Sequence, residues 1–347
     1  MKRDIKSMLL PELAEYFESI GERRFRAEQI FRSLHQGAMK FSEMTNLPLA
    51  LRSRLDDEFY IDVPVIREKQ TSQLDGTIKI LWELHDGNTI ESVIMEYSHG
   101  LTVCISTQVG CRMGCAFCAS AIGGLVRNLT ASEMLDQVLF SQLDIGKRIS
   151  NAVLMGIGEP LDNLDNVVRF LALVTHPYGM NIGARHITLS TCGIAENIDK
   201  LAQYDIQLSL AVSLHAPDDE TRSRLMPVNG AGGVDALLGA CRRYFRSTGR
   251  RISYEYAMID GVNDSPRHAK QLVRKLNGTG SHLNLILLNN VPERGFRASP
   301  QASVRAFTEV LKQNGVNFTI RRKLGADIDA SCGQLRRSRN SGTLGNN

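Results

Sequence analysis

No stretch of the sequence is long and apolar enough to cross a bilayer. The opening Met1-Lys2-Arg3-Asp4 leads only to Met8-Leu9-Leu10, too short for the apolar centre of a secretion signal. Neither sign of charge dominates. The 41 Lys and Arg against 37 Asp and Glu leave +4, which fits a polyanionic partner without requiring one. A disulfide framework is missing too, since the seven cysteines are odd in number and no secretion signal accompanies them. These absences leave a cytoplasmic globular protein with no membrane partner as the expectation. At 347 residues and 43% hydrophobic content it can bury one large core plus an accessory one.

Residues 1–60 read as helical, because Leu10, Leu13, Tyr16, Phe17 and Ile20, then Ala27, Ile30, Phe31 and Leu34, recur at helical spacing. Arg23, Arg24, Arg26, Arg32, Arg52 and Arg54 lie between them, as a solvated face or as contacts to phosphate. Residues 61–98 hold two alternating runs, 78–84 and 89–97, around Asp86-Gly87-Asn88, a hairpin signature. From residue 99 to 335 the pattern becomes strand, loop, helix, repeated. Strands are expected at 101–106, 152–155, 186–189, 207–212, 252–258 and 283–288, with a last one at 317–321. Thr130-Ala-Ser-Glu133 is a capping box, Ser265-Pro266 and Ser299-Pro300 are start signals, and helices should end near Gly146, Gly249, Gly278 and Gly315. The class is α/β with a parallel sheet. Periodicity leaves open whether that sheet is doubly wound or a partial barrel. The tail, 336–347, reads as disordered.

Three of the seven cysteines fall within eight residues, Cys111-Arg-Met-Gly-Cys115-Ala-Phe-Cys118, directly after a predicted strand. Soft thiolates select iron–sulfur clusters, zinc or copper(I), and a closed structural site wants four protein ligands. Three thiolates at this spacing leave one coordination position open for a substrate, and the amino and carboxylate groups of S-adenosylmethionine (SAM) suit it. Phe117 can screen such a cluster from water. The competing readings are a zinc site with Cys104 as fourth ligand, and coincidence among buried cysteines.

With these residues the chain resembles the RlmN/Cfr family of radical SAM methyltransferases over nearly its whole length. The resemblance rests on Cys104-Ile-Ser-Thr-Gln-Val-Gly-Cys111, the cysteine cradle, Met155-Gly-Ile-Gly-Glu-Pro-Leu161 and Leu189-Ser-Thr-Cys-Gly193. It continues through Ser213-Leu-His215, Leu225-Met-Pro-Val-Asn229 and Gly325-Ala-Asp-Ile-Asp-Ala-Ser-Cys-Gly-Gln-Leu335. It implies a partial (β/α)6 barrel with an N-terminal helical accessory domain that binds RNA, joined by a short β-hairpin linker. It further implies a [4Fe–4S] cluster on Cys111, Cys115 and Cys118, and SAM contacts at Gly158, Glu159, Ser190, Ser213, Leu214, His215 and Asn289. Two SAM are consumed per turnover. One methylates Cys332; the second is cleaved reductively to a radical that takes hydrogen from that S-methyl group. The methylene radical adds to an adenine, and Cys104 then attacks the sulfur of Cys332, leaving a transient disulfide. Glu91 is the implied proton acceptor. The implied partners are 23S rRNA, tRNA and an electron donor such as flavodoxin or ferredoxin, and the protein is expected to be a monomer.

Read without the resemblance, these residues say less. Cys332 sits in a polar, acidic loop where a core cysteine would be odd, so a reactive thiol fits it. Cys104, Cys192 and Cys241 read as core, and Glu91 as a solvated strand residue. Glu159 follows the second strand, where barrel sites gather. The chain departs from the family pattern at Ile157, Asn290 and Ser331, none of them a named ligand or thiol. Pro160 and Met44-Thr-Asn-Leu-Pro48 follow the members that methylate adenine carbon 2. The alternatives are methylation at carbon 8, or a non-catalytic RNA-binding metal protein.

Overall fold

The computed structural model describes residues 2–336; the tail beyond Arg336 lies outside the described residues. In chain order the N-terminal unit comprises β1 (Arg3–Asp4), α1 (Leu10–Ser19), α2 (Phe25–His35), α3 (Leu49–Glu58) and β2 (Phe59–Tyr60). β1 and β2 pair in parallel and close the three helices into a unit. Their apolar stripes meet inside it, with Leu13, Phe17, Ile30, Leu55 and Phe59 fully buried. Several arginines of this unit are already engaged. Arg24 pairs with Glu18 at 3.5 Å, Arg26 with Glu22 at 3.7 Å and Arg54 with Glu58 at 2.8 Å.

Next come β3 (Val65–Thr71), β4 (Ile78–Glu83), β5 (Thr89–Tyr97) and β6 (Gly100–Cys104), then the short β7 (Gln108–Gly110) and β8 (Leu125–Asn128). Alternation follows: α4 (Ala131–Ile145), β9 (Ile149–Leu154), α5 (Leu164–Thr175), β10 (Ile187–Thr191), α6 (Ala195–Leu201), β11 (Ser209–Ser213), α7 (Asp219–Leu225), α8 (Gly233–Thr248), β12 (Ile252–Met258), α9 (Pro266–Leu276), β13 (His282–Leu287), α10 (Gln301–Gln313) and β14 (Phe318–Ile320). One ten-stranded sheet runs β14-β13-β12-β11-β10-β9-β6-β5-β4-β3. From β6 to β14 every pairing is parallel, and β5, β4 and β3 continue the sheet antiparallel. β14 and β3 are its two edges, so the barrel stays open.

Most positions of β9, β11 and β12 are buried on both faces, whereas the edge strand β14 is largely exposed. Tyr256 of β12 meets Phe307 of α10 at 5.4 Å between ring centroids, and both are fully buried. Burying Phe307 contributes on the order of 2–3 kcal/mol. α4 is unusual in being buried on all sides from Ala131 to Ser141. The N-terminal unit covers its outer face, where Lys6 Nζ reaches Asp136 at 2.6 Å and Asp4 accepts from Ser132 at 2.6 Å. Its inner face is tied to the sheet by Gln137, which accepts from the Ser106 N–H and donates to the Ser106 carbonyl.

The Thr130–Glu133 capping box forms as the sequence predicts. Gly146 and Gly249 end α4 and α8 in the left-handed conformation. Ser299 is not a cap. α10 starts after Pro300, and the Ser299 hydroxyl is buried without a partner. Five strands were not expected from the sequence: the two-residue β1 and β2, in a stretch read as helical, and β3, β7 and β8. β3 is an exposed edge whose polar residues carry no apolar alternation, and β7 and β8 are too short to show a period.

Candidate active site

Parallel strands deliver their C-terminal ends to one side of the sheet, and the loops there build the site. After β6 the chain turns through β7, and the cysteine cradle is the connection from β7 to its antiparallel partner β8. Gly110 makes that frame possible: its φ is +78°, and a Cβ there would lie 2.0 Å from the Gly124 carbonyl oxygen. The Cys111 N–H donates to that same oxygen at 3.1 Å, and the Cys118 N–H donates to the Cys115 carbonyl at 3.2 Å. From outside, the Ala116 N–H reaches the Leu225 carbonyl at 2.8 Å, and Arg294 Nε donates to the Cys118 carbonyl at 3.1 Å. All three thiols line one recess of about 170 Å³. Burial pushes the Cys111 thiol up to about 12 and raises Cys115 as well, so thiolates here need a cation beside them.

The strand ends supply the walls. Gly158, Glu159, Ser190, Ser213, His215 and Asn289 all line the recess with the three cysteines. Gly158 has φ +110°, and a side chain there would strike Gln108 at under 3 Å. Buried Glu159 accepts from the N–H groups of Leu161 (3.0 Å) and Cys192 (2.7 Å), and burial raises its pKa. His215 adopts a positive φ of 55° and accepts through Nδ1 from the Ala257 N–H at 2.9 Å; burial lowers its pKa to about 3, so it is neutral. Phe117 packs edge-on against it at 5.0 Å. Asn289 donates to the Cys332 carbonyl at 2.9 Å, while its Oδ1 is buried with no partner. Leu214 is not brought to the wall. Its side chain is fully buried, its N–H donates to the Glu255 carbonyl, and its own carbonyl accepts from Arg222.

A second recess, of about 140 Å³, adjoins the first. Cys104 and Cys332 both line it, and Cys332 also lines the recess of the cradle. Cys104 is therefore placed with Cys332 and not with the cradle, which removes it as a fourth ligand. Burial, followed by the neighbouring Cys332, pushes the Cys104 thiol up to about 12. All seven cysteines are free thiols, so the expected Cys104–Cys332 disulfide is not formed here. The loop carrying Cys332 is held from several sides. Asp327 accepts from Ser72 (2.6 Å) and from the Gln73 N–H (2.9 Å), and the Gly325 N–H donates to Asp75 at 2.9 Å. The Ala119 N–H donates to the Gly333 carbonyl, and Ser120 to the Leu335 carbonyl. Glu91 lies outside both recesses. Its buried carboxylate accepts from the Arg336 N–H at 2.8 Å and faces Lys79 at 3.5 Å.

Three residues of the site escaped the sequence reading. Cys192, read as core, lies on the wall of the cradle recess with its thiol on Glu159. Arg222 is fully buried and donates to the carbonyls of Cys192, Ser213 and Leu214 and to Asn229, joining the ends of β10 and β11. Arg321 lines both recesses and faces Glu255 at 3.4 Å. A cation ending the last predicted strand was the available signal for Arg321. Arg222 gave none, since it reads as one more charge on a short polar helix.

The residues fit an iron–sulfur cluster. Among the described residues, the three-residue ligand group whose atoms gather within 4.8 Å of one another is Asp62, His85 and Glu133. The cradle sulfurs are spread more widely, whereas a single tetrahedral zinc would hold them roughly 3.8 Å apart. The unpartnered Asn289 Oδ1 and the side-chain-free Gly158 leave room and an acceptor for a polar ligand beside them.

A three-thiolate cradle on the C-terminal side of an open parallel barrel defines a radical SAM enzyme. Residues 105–273 match the Radical SAM superfamily, and residues 4–61 match the ribosomal RNA large subunit methyltransferase N-terminal domain. The chain is 51% identical over 336 residues to a probable dual-specificity RNA methyltransferase RlmN of Alkaliphilus oremlandii, covering 97% of this chain and 98% of that one. It is 47% identical to the protein of the same description from Clostridium novyi, over 97% and 98%. The crystal structure of a radical SAM methyltransferase from Sphaerobacter thermophilus superposes with a TM-score of 0.90 at 42% identity, over 96% and 99%. The chain belongs to the RlmN family of radical SAM RNA methyltransferases, and membership implies a [4Fe–4S] cluster and SAM. No helix among the described residues is long and apolar enough to cross a membrane.

Proposed function

We propose that the enzyme methylates carbon 2 of an adenine in 23S rRNA, and of an adenine in certain tRNAs, through Cys332. The observation that carries this reading is the position of Cys332, the cysteine that lines both recesses. Carbon 2 of adenine is electron-poor and cannot displace the methyl group of SAM as a nucleophile. Cysteine sulfur can.

Cys111, Cys115 and Cys118 would hold the cluster, and Glu159, Ser190, Ser213, His215, Asn289 and Gly158 would surround SAM at the open iron. When bound, this pair supplies one-electron cleavage of a carbon–sulfur bond and so a means of removing hydrogen from an unactivated methyl group. The chain's own residues do the rest. Cys332 accepts a methyl group from one SAM as a thioether. Exposed between the recesses, it presents that group to the cradle on one side and to an incoming base on the other. After the methylene carbon has bonded to the base, and the base proton and the unpaired electron have left, the electron to a one-electron acceptor, the Cys104 thiolate attacks the Cys332 sulfur. A sulfur–sulfur bond forms, the sulfur–carbon bond breaks, and its electron pair stays on the carbon, which takes up a proton and leaves as the new methyl group. A second SAM is consumed in activating the thioether, so two are used per product. The resulting disulfide is reduced before the next cycle, and a flavodoxin or ferredoxin suits the one-electron step. For Glu91 to take the base proton, the Arg336 N–H must first release its carboxylate, so that role requires the C-terminal segment to move.

Carbon 2 is favoured over carbon 8 by Pro160 and the 44–48 segment. The deciding experiment is mass spectrometry of adenosines from RNA treated with reconstituted enzyme, SAM and a reductant. 2-Methyladenosine is expected; 8-methyladenosine as the main product would overturn the positional assignment, and no methyladenosine the whole reading.

A further inference from the structure

A third recess, of about 480 Å³, opens at the end of the sheet opposite the thiols. The last turns of α8 and α9 and the starts of β12 and β13 enclose it. Arg242, Arg246, Arg274 and Lys275 line it, together with the hydroxyl-bearing Thr279 and Ser281. Lys275 is paired with Asp235, but among the described residues Arg242, Arg246 and Arg274 have no carboxylate within ion-pair distance. Exposed Arg251, directly before β12, lies at the same end of the sheet.

Helix C-termini attract cations, at about 0.3–1 kcal/mol each, and that accounts for single residues. It does not account for three unneutralised guanidinium groups around one recess, where they repel one another until a polyanion arrives. In the N-terminal unit Arg24, Arg26 and Arg54 have carboxylate partners of their own, while among the described residues Arg23, Arg32 and Arg52 have none. Phe245 on the rim is 43% exposed and offers a face for stacking. Arginine forks, hydroxyls and an exposed aromatic ring are the composition that grips phosphates and unpaired bases.

An acidic electron-donor protein is the other polyanion to weigh. The seven residues of β12 separate this recess from the cradle side by roughly 20 Å, and electron transfer falls steeply over such a distance. We infer that the recess is a docking site for phosphates of the RNA substrate, remote from the reacting base. This inference rests on the RNA methyltransferase reading above.

The test uses the reconstituted holoenzyme carrying Arg242→Ala, Arg246→Ala and Arg274→Ala together. Binding of a full-length tRNA transcript is followed by fluorescence anisotropy across a salt series. Affinity should fall at least tenfold, and the slope of log K against log salt should shrink by about 2–3, since each phosphate contact contributes roughly 0.7–0.9. KM for the long transcript should rise, while SAM cleavage and the kcat on a short target hairpin stay at the level of the unaltered enzyme. The corresponding triple Lys variant should restore most of the affinity, and a triple Gln variant, which removes the charge but keeps length and polarity, replaces the alanine variant if that one fails to fold. Unchanged affinity and slope would overturn the inference, as would a loss confined to reduction by flavodoxin. A wild-type enzyme that neither binds nor methylates RNA would instead defeat the reading beneath it, and this shows before any variant is compared.

Discussion

Two loops bring thiols to the same end of the sheet, and they are held in opposite ways. The cradle is braced locally. It spans β7 and β8, with Gly110 fitted against Gly124 and the Cys111 and Cys118 N–H groups bonded inside the hairpin, while Leu225 and Arg294 brace it from outside. The loop of Cys332 has no strand pair to frame it, although Ala330, Ser331 and Gln334 bond within it. Its anchors, Ser72, Gln73, Asp75, Glu91, Ala119, Ser120 and Asn289, come from parts of the chain far away in sequence. A site for a resident cofactor is built rigid in place. A thiol that must carry a group between two recesses is instead guyed from several directions, each tie weak enough to yield.

The largest effect should come from the rigid loop. Cys115→Ala is expected to remove the brown cluster, 5′-deoxyadenosine formation and all methylation. Iron content and product analysis after anaerobic purification check it, and bound zinc without iron would reverse the assignment. On the guyed loop, Cys332→Ala should keep the cluster yet transfer no carbon to RNA. Cys104→Ala should go one step further and stall with RNA joined to Cys332 through a methylene bridge. A denaturing gel and peptide mass spectrometry would find that adduct, and an adduct-free variant that still turns over would return Cys104 to the core.

Weakening one tie sharpens the comparison. Asp327→Ala removes the acceptor of Ser72 and Gln73. Methylation should fall several-fold to tenfold while iron content and thermal stability hardly change. The smallest effect belongs to Arg294→Ala, which removes one donor to the Cys118 carbonyl from a loop that its own hairpin and Leu225 also brace. Cluster loss on dilution should speed up only a few-fold, read from the decay of visible absorbance.

The same contrast explains what could be read from the sequence. The cradle was legible because Cys111, Cys115 and Cys118 are neighbours and the metal fixes their spacing. Ser190, Ser213 and Asn289 were legible as residues at the ends of apolar runs. The ties of the Cys332 loop were not, because Ser72 and Asp327 meet only once the sheet has formed. Leu214 and Glu91 sit on the elements that the family pattern assigns them, with the side chain of one in the core and the carboxylate of the other accepting from the Arg336 N–H. Arg222 was hidden because a charge on a polar helix looks solvated until the strand ends close over it.

Asn289 gives the two recesses a common currency. One end of its amide holds the carbonyl of Cys332, and the other presents a bare oxygen to the wall where SAM would lie. A donor arriving at that oxygen strengthens the bond at the far end, because hydrogen bonds in series polarise one another. Affinity for the ligand and order in the thiol-bearing loop are then two readings of one equilibrium, and each must raise the other by the same factor.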